Sequence, residues 1–331
     1  MYHFVLADHY LRRNPHIAAP QTRVQVSVSP GASPVYPASR TLPRFNDLWA
    51  ANHFTSACSV IVYRDDLFGP LFEGNSFVSE PVHNLVHREI MTPKGVTFTS
   101  RRAIDEEHSE FLASTDNWTR PTTIQTGPDG ALWVVDMYRQ VIEHPEWIPK
   151  EWQKKLDLRA GSNMGRIYRV YPVGKRPRPI PRLDRMDSAG LVAAFDGPSG
   201  WQRDTAQQLL IRRHDPATIP LLEQSAKQSP RPLCRLHSLC TLDGLAALTP
   251  EILHGALSDA HPGMPSGSAN LSLLGPPISV AHSFDWSLTL ILRSGCNLPT
   301  LLGSGKTRRQ VKPLENWPSS ATAIRSSARR S

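Results

Sequence analysis

Four polar side chains crowd into one short segment: Glu80, His83, Asn84 and His87 bring a carboxylate, an amide and two imidazoles together. A histidine titrates nearest neutrality, so His83 or His87 could take the proton as hydride leaves an alcohol, with Glu80 as its partner in catalysis. The same residues would equally serve structure, one imidazole exposed and the other bonded to a neighbouring strand. A second group runs from Asp116 to Arg120. Asn117, Trp118 and Arg120 supply an amide, an aromatic platform and a fixed cation, and Tyr138 and Arg139 repeat the aromatic–cation pairing further on. Such a set could stack and clamp a planar anionic cofactor, a quinone bearing carboxylates for example. Trp118 as packing and Arg120 as an ion-pair partner is the structural alternative. Asp65, Asp66 and Asp136 carry the hard oxygen ligands that calcium takes, though adjacent acids also cap turns.

The elements that must position these groups change in kind along the chain. In the first half, short β-branched and aromatic runs alternate with Pro- and Gly-bearing turns. Strands are predicted at 59–63, 76–80, 84–90, 96–99, 121–126, 131–138 and 165–171, with Gly127-Pro-Asp-Gly130 as a tight turn. Phe77-Val-Ser-Glu80 and Trp133-Val-Val-Asp136 stand 56 positions apart, each a strand ending in a carboxylate. Repeating four-strand units of this kind point to β-propeller blades, and a β-sandwich is the competing reading. An insertion over 140–162, helical around Lys150, is expected to cover one blade face with Trp147 and Trp152.

Residues 176–186, rich in Pro and Arg, read as an extended linker. Over 187–263 helical periodicity takes over, with Asp187 or Ser188, Ser199 and Thr249 as N-caps. Trp201/Leu233, Arg203/Arg235 and Leu210/Leu242 recur at one fixed offset of 32, which suggests a short HEAT-like α-solenoid with the arginines as ladder residues. After Met264 the periodicity stops. Residues 264–331 hold 13 serines and 6 prolines, a composition expected to stay disordered, and the abrupt change suggests a tail in another reading frame.

Most of the net charge of +8 belongs to that tail, whose 8 Lys/Arg and 2 acids leave 29 bases against 27 acids for the preceding residues. A basic groove for nucleic acid is therefore not expected in the body, and a natural basic tail for acidic partners is the alternative to a frameshift. No apolar run is long enough for a membrane span, the amino terminus lacks a signal-peptide layout, and the four cysteines include no Cys-x-x-Cys.

Several segments together resemble the PVC-type membrane-bound dehydrogenases. They include Tyr10-Leu-Arg-Arg-Asn-Pro15, Arg44-Phe-Asn-Asp47, Tyr63-Arg-Asp-Asp-Leu-Phe-Gly69, Glu80-Pro-Val-His-Asn-Leu-Val-His-Arg88 and Thr126-Gly-Pro-Asp-Gly-Ala-Leu-Trp-Val-Val-Asp-Met-Tyr-Arg139. The resemblance implies an exported, cell-envelope protein with a propeller, helical repeats and a c-type haem domain. It implies oxidation of a sugar or alcohol with a PQQ-like quinone and calcium in the propeller, and electrons passed through haem to an acceptor. Against that pattern the chain reads as an internal fragment, with the last two to three blades over 1–175, no Cys-x-x-Cys-His haem site and no leader, so cytoplasmic as written and inactive alone. The expected fold class is thus multidomain β plus α: partial propeller, short solenoid, disordered tail. A noncatalytic propeller/solenoid binding module is the functional alternative.

Overall fold

The computed structural model describes residues 2–4, 16, 21–29, 32–40, 52–94, 97–261 and 264. The tail expected to be disordered lies outside the described residues from 265 onward, as do the family-like segments 10–15 and 44–47. The class is mixed β and α. Strands β1 (Tyr2–Phe4) and β2 (Arg23–Gln25) pair with each other. A first antiparallel meander follows in the order β3 (Cys58–Val62), β4 (Ser76–Glu80), β5 (Leu85–Lys94), β6 (Thr97–Arg102), with β7 (Leu112–Ala113) on the start of β5. A second has three strands, β8 (Pro121–Thr126), β9 (Leu132–Asp136) and β10 (Arg166–Val170). Among the described residues the sheets do not close into a ring.

Alternating burial along β8 and β9 turns Ile124, Leu132 and Val134 inward, where they meet Tyr63, Phe77 and Val86 of the first meander in one core. Each such side chain removed from water contributes roughly 1.5–3 kcal/mol. The meanders are also pinned at their first strands. Ser59, at φ 48 beside the bulge that interrupts β3, accepts from the Ile124 amide at 2.8 Å. The insertion after β9 is mostly turns, with one short helix, α1 (Lys150–Gln153). Ile148 is buried, but Trp147 and Trp152 are 66% and 42% exposed, so the two indoles do not seal a blade face as expected.

The helical part begins with α2 (Ser188–Ala193) and α3 (Gly200–Arg213), continues through α4 (Ile219–Gln228) and α5 (Pro232–Gly244), and ends with α6 (Pro250–Leu257). Asp187 accepts from Gly190 N–H at 2.7 Å, while Ser199 and Thr249 cap α3 and α6, so orphan amides at these helix starts are satisfied locally. Proline stands in the first turn of α4, α5 and α6, where its missing N–H does no harm. Every residue from Leu236 to Leu242 on α5 is buried, and Ser238 and Thr241 return their hydroxyls to carbonyls four residues back. Met264, assigned to the tail on sequence, is buried in the helical core, which moves that boundary by at least one residue.

The ladder arginines make matching contacts. Arg203 donates to Gly197 O at 2.6 Å and Arg235 to Ser229 O at 2.8 Å, each closing off the carbonyl end of the helical segment before it.

The linker is tied down along its length. Lys175 donates to Leu67 O, Arg178 N–H to Asp129 O, and the Arg178 guanidinium grips Asp65 and Asp66. The first turn of α3 docks beside it: Gly200 N–H donates to Arg64 O at 2.8 Å, and Arg64 forms a two-bond fork with Asp204 at 2.8 and 3.0 Å. Among the described residues no helix is long and apolar enough to cross a membrane.

This docking decides the sign of a glycine substitution. Alanine is the better helix former by about 1 kcal/mol, but a Cβ at Gly200 would stand 2.8 Å from Arg64 Cβ, which no side-chain rotation can relieve. Gly200→Ala should therefore lose about 1–3 kcal/mol in urea unfolding. Gly255→Ala on α6, where nothing lies within 4 Å, should gain about 0.5–1 kcal/mol in the same measurement.

Candidate functional site

The segment from Glu80 to Arg88 is an end of β4, a turn and the first half of β5. Glu80 is fully buried and accepts backbone N–H bonds from Ser56 at 2.9 Å and Thr55 at 3.2 Å. His83 Nε2 accepts from Asn52 N–H at 3.0 Å, so its proton belongs on Nδ1, 3.4 Å from Glu80 Oε1. Asn84 adopts φ 60, a left-handed turn conformation that asparagine tolerates better than most residues. Its amide is fully engaged, accepting from Ser39 Oγ at 2.7 Å and donating to the carbonyls of Thr119 and Asn117 at 2.5 and 3.1 Å. Of the predicted cluster, Glu80 and His83 meet, while Asn84 is engaged with other loops, and all three are bonded to protein groups.

His87 belongs to a different group. Its Nδ1 meets Glu110 at 2.8 Å and its Nε2 meets Glu89 at 3.4 Å, with the Phe54 ring edge-on at 5.2 Å. Burial pulls the imidazole's pKa down, but the bonds to Glu110 and Glu89 more than offset this and the net shift is upward. Glu89 is also held by Ser27 and Ser100; burial pushes its carboxyl up, and the bonds to His87 and the two hydroxyls bring it below the ordinary value. Glu110 accepts from Arg102 at 3.0 Å and from Tyr36 N–H at 2.9 Å. With His87 protonated, two cations balance two carboxylates in this buried knot. Arg88, on the opposite face of β5, reaches Asp105 at 2.6 Å and lies 2.9 Å from Glu106, out of line for a hydrogen bond. Glu106 is accordingly pushed up to about 7, by burial first, against the pull of Arg88.

Sequence reading missed Glu89, Glu110 and Arg102. Strand alternation already puts Glu89 on the His87 face of β5, which was a usable signal. Nothing in local spacing points to Glu110.

The cofactor set divides. Arg120 is buried, and its guanidinium donates to the carbonyls of Pro81, Arg139 and Gln140 at 2.8–2.9 Å, so it clamps two loops together. Arg139 donates to the carbonyls of Tyr138, Gly161 and Ser162, closing the base of the insertion. Asn117 donates to Arg40 O at 2.7 Å. Neither guanidinium is arranged as a clamp for a ligand's carboxylates. Trp118 and Tyr138 do meet, half-exposed and tilted with centroids 5.8 Å apart, and Arg166 lies over the Tyr138 ring at 4.0 Å. A bond to Asp116 raises the Tyr138 hydroxyl's pKa.

The expected metal ligands do not come together. Asp65 and Asp66 are bridged by Arg178, the latter at 2.6 Å, beside Gly130 at one end of β9. Asp136 is at the other end, accepting from the amides of Arg120 at 2.7 Å and Tyr138 at 2.9 Å and pairing with Arg166. Carboxylates already held by a guanidinium and by amides, at opposite ends of a strand, do not make a calcium site. Among the described residues no group of three or more His, Cys, Asp or Glu could hold a metal ion.

Residues 1–174 match the family described as a domain of unknown function, DUF7133. The chain belongs to that family. The match ends where β10 has finished and the Pro/Arg-rich segment begins, so the whole Glu80–Arg88 hub, the two meanders and the insertion fall within the DUF7133 part. No curated protein and no solved structure matches the chain.

If Arg120 is a clamp on loop carbonyls, its fork geometry matters and its charge alone does not suffice. Arg120→Lys should cost more than about 2 kcal/mol in denaturant unfolding, because a single ammonium cannot reach carbonyls on both loops.

Proposed function

We propose that the chain is a noncatalytic binding module, with its two meanders as neighbouring blades of a β-propeller and its helices as a short HEAT-like stack. One observation carries the reading: both ring nitrogens of both candidate bases are engaged by protein groups. A general base must offer a nitrogen to a substrate proton within hydrogen-bond reach. His83 holds Asn52 and Glu80, and His87 holds Glu110 and Glu89, all within buried surroundings. In this reading the conspicuous polar segment is architecture. The propeller assignment is supported by the antiparallel meander order, by the direct Ser59–Ile124 tie between first strands, and by the matching work of Glu80 and Asp136 as strand-end acceptors of loop amides. The paired Arg203 and Arg235 contacts support the helical repeat.

The half-exposed Trp118–Tyr138 pair under Arg166 favours a second reading, part of an alcohol- or sugar-oxidising propeller of the cell envelope. Two rings and a cation suit a planar anion, and a quinone bound there would supply a two-electron acceptor whose electrons pass on to a c-type haem. The other expected clamps do not fit it, since Arg120 and Arg139 are turned onto carbonyls, and the three aspartates do not fit calcium.

Dye reduction tests the noncatalytic reading in one direction: a piece of an oxidising propeller is also expected to be silent alone, so a positive rate is the deciding result. The purified chain, given an artificial electron acceptor, pyrroloquinoline quinone, calcium and a panel of sugars and polyols, should show no substrate-dependent rate above background. A rate that appears with one substrate and falls at least about tenfold in Trp118→Ala would reject the noncatalytic reading.

A further inference from the structure

Residues 21–29 and 32–40 lie against the outer edge of the first meander, and their attachment converges on the His87 knot. Ser27 pairs with Ser100 in parallel register, Val28 N–H donates to Ser100 O at 2.9 Å, and Ser100 N–H donates to Val26 O at 2.8 Å. This short ladder covers the β6 edge, with Val26 and Val35 buried. The side-chain ties come from the knot itself. Ser27 Oγ donates to Glu89 at 3.0 Å, Tyr36 N–H donates to Glu110 at 2.9 Å, and Arg102 bridges Pro34 O at 2.8 Å and Glu110.

We propose that His87 is a proton-operated latch: its imidazolium holds Glu89 and Glu110 in place to grip residues 21–29 and 32–40, and loss of that proton releases these residues and bares the edge of β6. A neutral imidazole keeps one N–H for two carboxylates. The other carboxylate would then face a lone pair, and Arg102 would be the single cation against two buried anions. Among the described residues, other titratable or charged groups near the latch include Glu106, Arg88 and Asp105 beyond the opposite face of β5, and His108, whose ring meets Tyr36 edge-on at 5.5 Å. They also include His53, bridged to Pro34, and His3 on β1, which pairs with β2 and bonds Thr97 of β6 at 2.9 Å, its pKa lowered by burial so that it acts in the opposite pH sense.

The direction follows from linkage. The closed form holds the His87 proton more tightly than the released form, so closure is complete below the ordinary value of 6.5 and is lost as pH rises through the raised value. Glu106, pushed up to about 7, weakens the same region over a lower window, between 4.5 and about 7. The two titrations are coupled, since Glu110 raises Glu106 and His87 lowers it, so they are told apart by removing Glu106.

Amide hydrogen exchange of the full chain from about pH 5.5 to about pH 9.5, corrected for the intrinsic chemistry, reads the latch at Val28 and Ser100. Their opening constant should climb by up to about tenfold per pH unit above 6.5 and then level off. Leu239, deep in α5, should stay unchanged. Glu106→Gln should retain the climb above about pH 7, and His87→Gln should abolish it, leaving the segment open throughout. Should His87→Gln fail to fold, Glu89→Gln decides the matter: the climb must level off at a lower pH, because one of the two groups favouring the imidazolium is gone. Three results would overturn the latch: a flat response at Val28 and Ser100, the same climb in His87→Gln, or a parallel climb at Leu239, which would mean global unfolding.

Discussion

A buried carboxylate is tolerated only where donors surround it, and the β part of this chain is organised around that constraint. Its strands are short, so much of the backbone lies in loops whose amides and carbonyls have no ladder partner. Glu80 and Asp136 gather loop amides at the ends of β4 and β9, Asp129 takes Ala131 N–H and the Trp133 indole, and Arg120 gathers carbonyls from the loops after those same strands. Removing any one of these side chains would strand several polar groups at once. Charged residues that look catalytic in sequence thus also serve as joints of the loop framework.

The same logic joins the two halves. Loops around Arg64–Phe68 and Gly127–Gly130 are capped by the linker and by the start of α3, through Arg178, Lys175, Gln202 and the Arg64–Asp204 fork. At this junction Arg203 is buried next to a second guanidinium and its pKa falls to about 10, burial being the larger cause and Arg64 the next. His237, enclosed beside them and stacked on Phe195, is held neutral by burial. The Gly-Pro-Asp-Gly turn, which is easily taken for a substrate-facing loop, is thereby a seat for the helical part. Gly130 takes φ 86 there, and any Cβ would collide with Asp65 and Arg178.

What could be seen in the sequence was whatever depends on near neighbours. The strand over Ser76–Glu80, the caps Asp187, Ser199 and Thr249, and the matched positions of Arg203 and Arg235 follow from patterning and local hydrogen bonding. The mixed β and α class was legible for the same reason. Partner choice was not. Asp65 and Asp66 look like free acids until Arg178 folds back across more than a hundred residues, and His87 looks like a free base until Glu110 arrives from beyond β6. Spacing reveals which groups share a face of a strand, but tertiary contact decides whether those groups meet solvent, ligand or each other.

Helix α5 has one more consequence to give. Enclosed over the whole span Leu236–Leu242, it has no apolar stripe to dictate its rotation about its own axis. That choice falls to polar contacts, above all the 2.7 Å bond between His237 Nδ1 and Gln207 Oε1 of α3. The centre of the helical half thus resembles a key cut on every side, oriented in its lock by polar teeth, His237 on Gln207 and Arg235 on Asp259.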